Sequence, residues 1–200
     1  MADEPTKADE KRALVFDAAS DVFARYGFRR TSMNDIAEAA GISRPALYLM
    51  FANKEDLFRQ LATHRQSEAI EAAVVALNRA GDFSERFLQA ILDYERVYYE
   101  PIAQSPHGAE FMDVNLSVAS DDMKKGHDRL IGVLADGIDA AVADGEVSIE
   151  HTAMSASEFA ELLMSSVWGQ KKVENLKHFR RKVKHVTSIF LASISKGDVA

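Results

Sequence analysis

Cysteine is absent from this 200-residue chain. Disulfides, thiolate metal sites and cysteine nucleophiles are thereby excluded. Positive charge is in deficit: 24 Lys and Arg against 31 Asp and Glu leave a formal net charge of −7, so the chain as a whole is no general polyanion binder. No segment reaches the ~20 apolar residues of a membrane span, and residues 1–12, MADEPTKADEKR, hold no apolar signal core. The expectation is a soluble cytoplasmic protein with no membrane partner. Also missing are a G-x-S-x-G elbow, a Walker loop, a dinucleotide glycine signature and a metal-hydrolase histidine pair. Nothing therefore marks an enzyme, although a carboxylate pair hidden among the acidic residues stays as a rival reading. Strand-like alternation, internal repeats and low-complexity tracts are lacking too.

What the chain does carry is helical periodicity. After a tail expected to be disordered (residues 1–8), Leu14, Val15, Ala18, Ala19, Val22, Phe23 and Tyr26 form an amphipathic stripe ending at Gly27. Residues 31–58, TSMNDIAEAAGISRPALYLMFANKEDLF, are the most informative part. Met33, Ile36, Ala37 and Ala40 share one helical face. Ser32 with Asp35 makes a capping box at its start, and Gly41 stops it. Ser43 then caps a second helix carrying Arg44, Pro45, Ala46, Leu47, Tyr48 and Phe51, in which an early proline costs little. Two short helices around a glycine turn read as a helix-turn-helix, whose second helix enters a DNA major groove. Asn53 with Asp56 opens a long fourth helix at Lys54.

Local charge agrees with that reading. Residues 22–54 contain Arg25, Arg29, Arg30, Arg44 and Lys54 against only Asp35 and Glu38, a positive face on an acidic protein. Arg44 is the candidate base reader, since a guanidinium can pair bidentately with guanine O6 and N7. Pro45 and Ala46 offer small apolar surfaces for a thymine methyl, and Leu47 and Phe51 face the core. Thr31 and Ser32, at the start of the second helix, are candidate phosphate contacts. Arg29 and Arg30 either extend that contact or are solvated surface charges.

The same string resembles the N-terminal domain of TetR-family transcriptional regulators. Asp35-Ile36-Ala37, Ala40-Gly41-Ile42-Ser43, Leu47-Tyr48, Phe51 and Lys54-Glu55-Asp56-Leu57-Phe58 carry the resemblance. It is specific to about residue 60 and only architectural beyond. It implies that the Tyr48 hydroxyl reaches a phosphate or base edge and that Lys54 clamps the DNA backbone. Two departures stand out: Pro45 replaces a glycine or small polar residue, and Met50 replaces a histidine or tyrosine, removing a phosphate contact.

The expected architecture is all-α. A three-helix DNA-binding domain over residues 9–53 is joined by the connecting helix from residue 54 to a helical ligand-binding and dimerisation domain, 54–200. Beyond residue 81 the reading is of further helices, with Pro101 stopping one of them and a less regular piece from 104 to 119. Residues with aromatic, thioether and polar groups over the middle helices make the candidate pocket: Tyr94, Tyr98, Tyr99, His107, Phe111, Met112, Asn115, His127, Met164 and Trp168. Such a mixture suits a largely apolar ligand oriented by a few polar contacts. Each is otherwise ordinary core or surface. No cofactor is expected, and no histidine spacing supports a metal. On the final two helices Phe159, Leu163, Val167, Val183, Val186 and Phe190 form an apolar stripe that pairs in a homodimer or is simple core. The resemblance implies a repressor that binds a palindromic DNA operator as a homodimer and is released by an unidentified small-molecule effector. A ligand acting as corepressor obeys the same thermodynamics. The remaining rival is a helical adaptor that no longer binds DNA.

Overall fold

The computed structural model describes residues 6–171 and 175–195, apart from the side chain of Leu116. Among the described residues ten α-helices follow one another: α1 Lys7–Tyr26, α2 Met33–Ala39, α3 Arg44–Met50, α4 Lys54–Leu77, α5 Phe83–Tyr98, α6 Glu100–Gln104, α7 Gly108–Val118, α8 Ser120–Ala143, α9 Ala156–Trp168 and α10 Leu176–Ile194. Among the described residues there is no strand, only an isolated bridge between Val147 and Ser195. The all-α expectation holds.

Local chemistry sets the helix ends. Thr6 and Asp9 form a capping box at α1, so Lys7 and Ala8 are helical where a disordered tail to residue 8 was expected; the rest of that tail, residues 1–5, lies outside the described residues. Ser32 and Asp35 form the expected box at α2. At its far end the Gly41 N–H donates to the Glu38 carbonyl at 3.1 Å and the Ile42 N–H to the Ala37 carbonyl at 3.0 Å. That pattern turns on a left-handed residue, and Gly41 has φ 65°. Ser43 caps α3, with Pro45 in its first turn.

The chain divides into two compact units, and the division does not fall at residue 53. One unit comprises Met1–Arg65 with Pro101–Met123; the other comprises Gln66–Glu100 with Lys124–Ala200. The boundary thus lies inside α4. In the first unit α1 contributes Val15, Phe16, Ala19 and Phe23, α2 Ile36, α3 Leu47, and α4 Leu57, Phe58 and Leu61. Phe23, Phe28 and Phe58 form an aromatic knot with centroids 5.1–5.8 Å apart. Phe111 and Val114 of α7 complete that core, with Phe111 6.4 Å from Phe58. The segment expected to be irregular, 104–119, is therefore mostly helix. Pro101 is tolerated in the first turn of α6, where its missing N–H has no intrahelical use.

The second unit packs the later part of α4 with α5, α8, α9 and α10. Its core holds Ile70, Phe87, Ile91, Leu134, Phe159, Leu163, Val183 and Leu191, among others. α8 ends as α2 does: Gly145, at φ 74°, lets the Glu146 N–H reach the Ala141 carbonyl at 2.8 Å.

Candidate functional site

Two side chains anchor the second helix of the helix-turn-helix. Leu47 is fully buried and Phe51, its C-cap, is 1 % exposed. With that side of α3 fixed, helical geometry turns Pro45 and Leu49 outward and puts Tyr48 on the flank, while Arg44 opens the helix and is exposed there. Arg44 and Pro45 are exposed, and Ala46 is half-buried. Tyr48 is 42 % exposed, and the Arg44 guanidinium lies 5.6 Å from its ring centroid. Leu49 was not among the expected contacts, yet it is 89 % exposed in the middle of this face. Its phase was legible: 49 follows 45 by four and stands opposite Leu47 and Phe51.

The flanking residues take less simple places. The Thr31 side chain is buried and its hydroxyl donates to the Gly27 carbonyl at 2.7 Å. The Ser32 N–H and hydroxyl both donate to Asp35 Oδ2 at 2.8 Å. These bonds from the Ser32 backbone and side chain hold the Asp35 carboxyl below its ordinary value. The start of α2 thus carries its own anion, so Thr31 and Ser32 are local fasteners first. Lys54 Nζ donates to the carbonyls of Phe28 and Thr31, each at 2.8 Å, and sits 4.5 Å from the Phe28 ring centroid. The lysine expected to clamp DNA therefore ties the α1–α2 turn to α4, using two of its three donors. Arg29 and Arg30 are exposed. The Arg29 backbone N–H donates to Glu110 at 2.7 Å, and Arg30 shares a surface groove with Arg25, Asp35, Glu38 and His107.

The expected pocket residues do not form one set, because they fall in different units. His107, Phe111, Met112 and Asn115 belong to the first. There Phe111 is core, Met112 is exposed, His107 Nδ1 stands 3.7 Å from Glu110, and Asn115 is buried. Tyr94, Tyr98, Tyr99, His127, Met164 and Trp168 belong to the second. The reason is the return of α7 to complete the first core, which helical periodicity could not announce.

Within the second unit the aromatics converge on a charge pair that sequence reasoning passed over. Glu95 is 1 % exposed, and Lys171 Nζ lies 3.2 Å from its Oε2. That is the distance of a buried ion pair. Burial pushes the Glu95 carboxyl up, with Lys171 and the Trp168 side chain acting against it. Burial likewise pulls Lys171 down, opposed by Glu95. The same ammonium lies 4.7 Å from the Tyr99 ring centroid and 5.7 Å from those of Tyr98 and Trp168. The Tyr99 hydroxyl donates to the Lys171 carbonyl at 2.5 Å. His127 stacks 4.5 Å from Trp168, and Tyr94 lies 5.7 Å from Tyr98. Burial, followed by the Glu95 charge, pushes the Tyr98 hydroxyl up to about 12. Beside the cage, Glu100 is buried in a two-pronged pair with Arg180. The available signal was spacing: Glu95, Tyr98 and Tyr99 stand at i, i+3 and i+4, and Lys171 follows Trp168 by three.

The expected dimer stripe also divides. Phe159, Leu163, Val167 and Val183 are buried in the core of their own unit and leave no surface for a partner. Val186 and Phe190 are half-buried. The exposed apolar groups on these helices are Leu162 at 48 % and Ile189 at 70 %. The stripe is wider than one contact face, so its centre fills the core of the second unit while its edge stays outside.

Comparison with known proteins agrees with this geometry. Residues 15–61 match the family model described as bacterial regulatory proteins, tetR family. The chain is 22 % identical over 166 residues to YhgD, an uncharacterized HTH-type transcriptional regulator of Bacillus subtilis (strain 168), covering 82 % of this chain and 85 % of that one. Its fold is similar to that of a chain from Mesorhizobium loti MAFF303099 described as a TetR-family transcriptional regulator, with TM-score 0.74 at 20 % identity, over 96 % of this chain and 100 % of the other. It is also similar to SmeT, the repressor of the Stenotrophomonas maltophilia multidrug efflux pump SmeDEF, with TM-score 0.64 at 18 % identity over 94 % and 92 %. SmeT has also been solved with triclosan.

Proposed function

We propose that this chain, which belongs to the TetR family of DNA-binding transcriptional regulators, is a repressor that binds a palindromic operator as a homodimer and is released by a small-molecule effector. One observation carries the DNA reading: α3 is pinned by Leu47 and Phe51 and leaves Arg44, Pro45, Tyr48 and Leu49 exposed. An arginine, an amphipathic ring and a leucine on one short helix suit guanine edges, phosphate and thymine methyl groups respectively. Arg25, Arg29 and Arg30 supply positive charge in the same unit, outside the fastener roles of Thr31, Ser32 and Lys54. Homodimerisation through α9 and α10 is supported by the exposed Leu162 and Ile189. Two-fold symmetry would place two recognition helices about 34 Å apart on one face of a duplex.

Effector release is a population shift: a ligand that binds one conformation better than the other moves the equilibrium by that difference in affinity. The aromatic cluster of the second unit is the place for such a ligand, and α4, which runs through both units, is the continuous element that can respond. The triclosan complex of SmeT supports a small-molecule effector. The test is fluorescence anisotropy of DNA from upstream of the chain's own gene, against scrambled DNA, across a salt series. Selective binding that falls steeply with salt is expected, with a log–log slope of about −0.9 per neutralised phosphate. Equal binding to both DNAs, followed by failure of selection from random sequence, would overturn the reading.

A further inference from the structure

The cage around Lys171 is built for a cation, and its present occupant belongs to the chain itself. Three ring faces, those of Tyr98, Tyr99 and Trp168, lie within 5.7 Å of one ammonium, and the buried Glu95 carboxylate is 3.2 Å away. Aromatic faces attract cations through their quadrupole, and most strongly where water is excluded. Lysine nevertheless suits the place poorly. Its ammonium is compact and strongly hydrated, so desolvation is costly. A carboxylate that is 1 % exposed carries a desolvation cost that a pair with one lysine offsets only in part.

We infer that Tyr98, Tyr99, Trp168 and Glu95 form a binding site for an organic monocation with an apolar skin, and that Lys171 is a tethered stand-in which such a cation displaces. This rests on the effector reading above only for its regulatory consequence. Charge accounting sets the selectivity. When an organic cation enters and Lys171 leaves for water, Glu95 keeps one positive partner. A neutral ligand of the same shape would leave Glu95 buried and unpaired, or would find the lysine still in place. A quaternary ammonium fits best, because its methyl groups lie against ring faces at little desolvation cost.

Trp168 is the only tryptophan in the chain, so its fluorescence reports on the cage directly. The probe is benzyltrimethylammonium, with neopentylbenzene as its neutral carbon isostere, titrated into the full chain without DNA. A saturable Trp168 response to the cation is expected, with about a tenfold preference over the isostere. Lys171→Met removes the internal competitor and should tighten cation binding about tenfold, and Glu95→Gln in that background should reverse the gain. A second readout needs no variant: acylation of Lys171 in the unaltered chain, followed by mass spectrometry, should rise as the cation is added. Equal response to cation and isostere, or Lys171 labelling that stays constant at saturating cation, would overturn the inference. Because no DNA is present, failure of operator binding leaves this result standing, and failure here leaves the operator result standing.

Discussion

Arg44 and Lys54, both cations of the DNA-binding unit, separate recognition from stability. Arg44 is exposed, and its guanidinium lies over the Tyr48 ring. Arg44→Ala should cost about 1–3 kcal/mol of operator affinity and blur sequence discrimination, with melting temperature unchanged. Leu49→Ala should behave alike, since a leucine 89 % exposed contributes no more than about 0.5 kcal/mol to folding; anisotropy beside a thermal melt measures both. Lys54 behaves oppositely. Its ammonium satisfies two carbonyls of the α1–α2 turn, so Lys54→Met should cost about 2–3 kcal/mol of stability, seen as a lower denaturant midpoint without DNA. A Lys54→Met protein that melts like the parent but loses operator affinity would restore the DNA-clamping role.

Helix ends are the next scale, and their glycines are not equivalent. Gly41 sits at φ 65° with open space around the missing Cβ, so Gly41→Ala should cost about 1–2 kcal/mol of strain. At Gly108 an added Cβ would lie 2.4 Å from the Ile102 backbone oxygen. Gly108→Ala must therefore shift the α6–α7 junction and should lower the melting temperature more than Gly41→Ala. Caps add a pH dependence. The Ser32 and Ser155 bonds hold the carboxyls of Asp35 and Glu158 below their ordinary values. A depressed carboxyl gives stability that is complete above its unfolded value and is lost as pH falls through the folded one. Acidification below about pH 4 should thus weaken the starts of α2 and α9, and Ser155→Ala, costing about 1 kcal/mol at neutral pH, should flatten the α9 part of an acid denaturation curve.

For the whole molecule, the exposed edge of α9 and α10 is the face that the proposed homodimer would use. Leu162→Asp with Ile189→Asp should convert a dimer to a monomer in sedimentation while circular dichroism is unchanged, because neither side chain fills the protomer's core. The monomer should lose cooperative operator binding, each recognition helix then holding a half-site alone. A double variant that still sediments as a dimer would remove this face as the interface.

Sequence alone determined the features set by neighbours along the chain. Capping pairs at Ser32–Asp35 and Ser155–Glu158, stops at Gly41 and Gly145, and the inward phase of Leu47 all follow from spacings of one turn or less. The helix-turn-helix and the all-α class follow from them. Tertiary structure alone decided which helices share a core. Phe111 and Val114 close the first unit across more than forty residues of intervening chain. Glu95 and Lys171 meet although they stand 76 positions apart in the chain. The same folding withdrew Phe159 and Leu163 into the protomer and spent Lys54 on two carbonyls. Periodicity says that a face is apolar or that a charge is present, but not what that face or charge will meet. Only the packing of non-adjacent segments resolves that, since the free energy of burial depends on area removed from water and not on position along the chain.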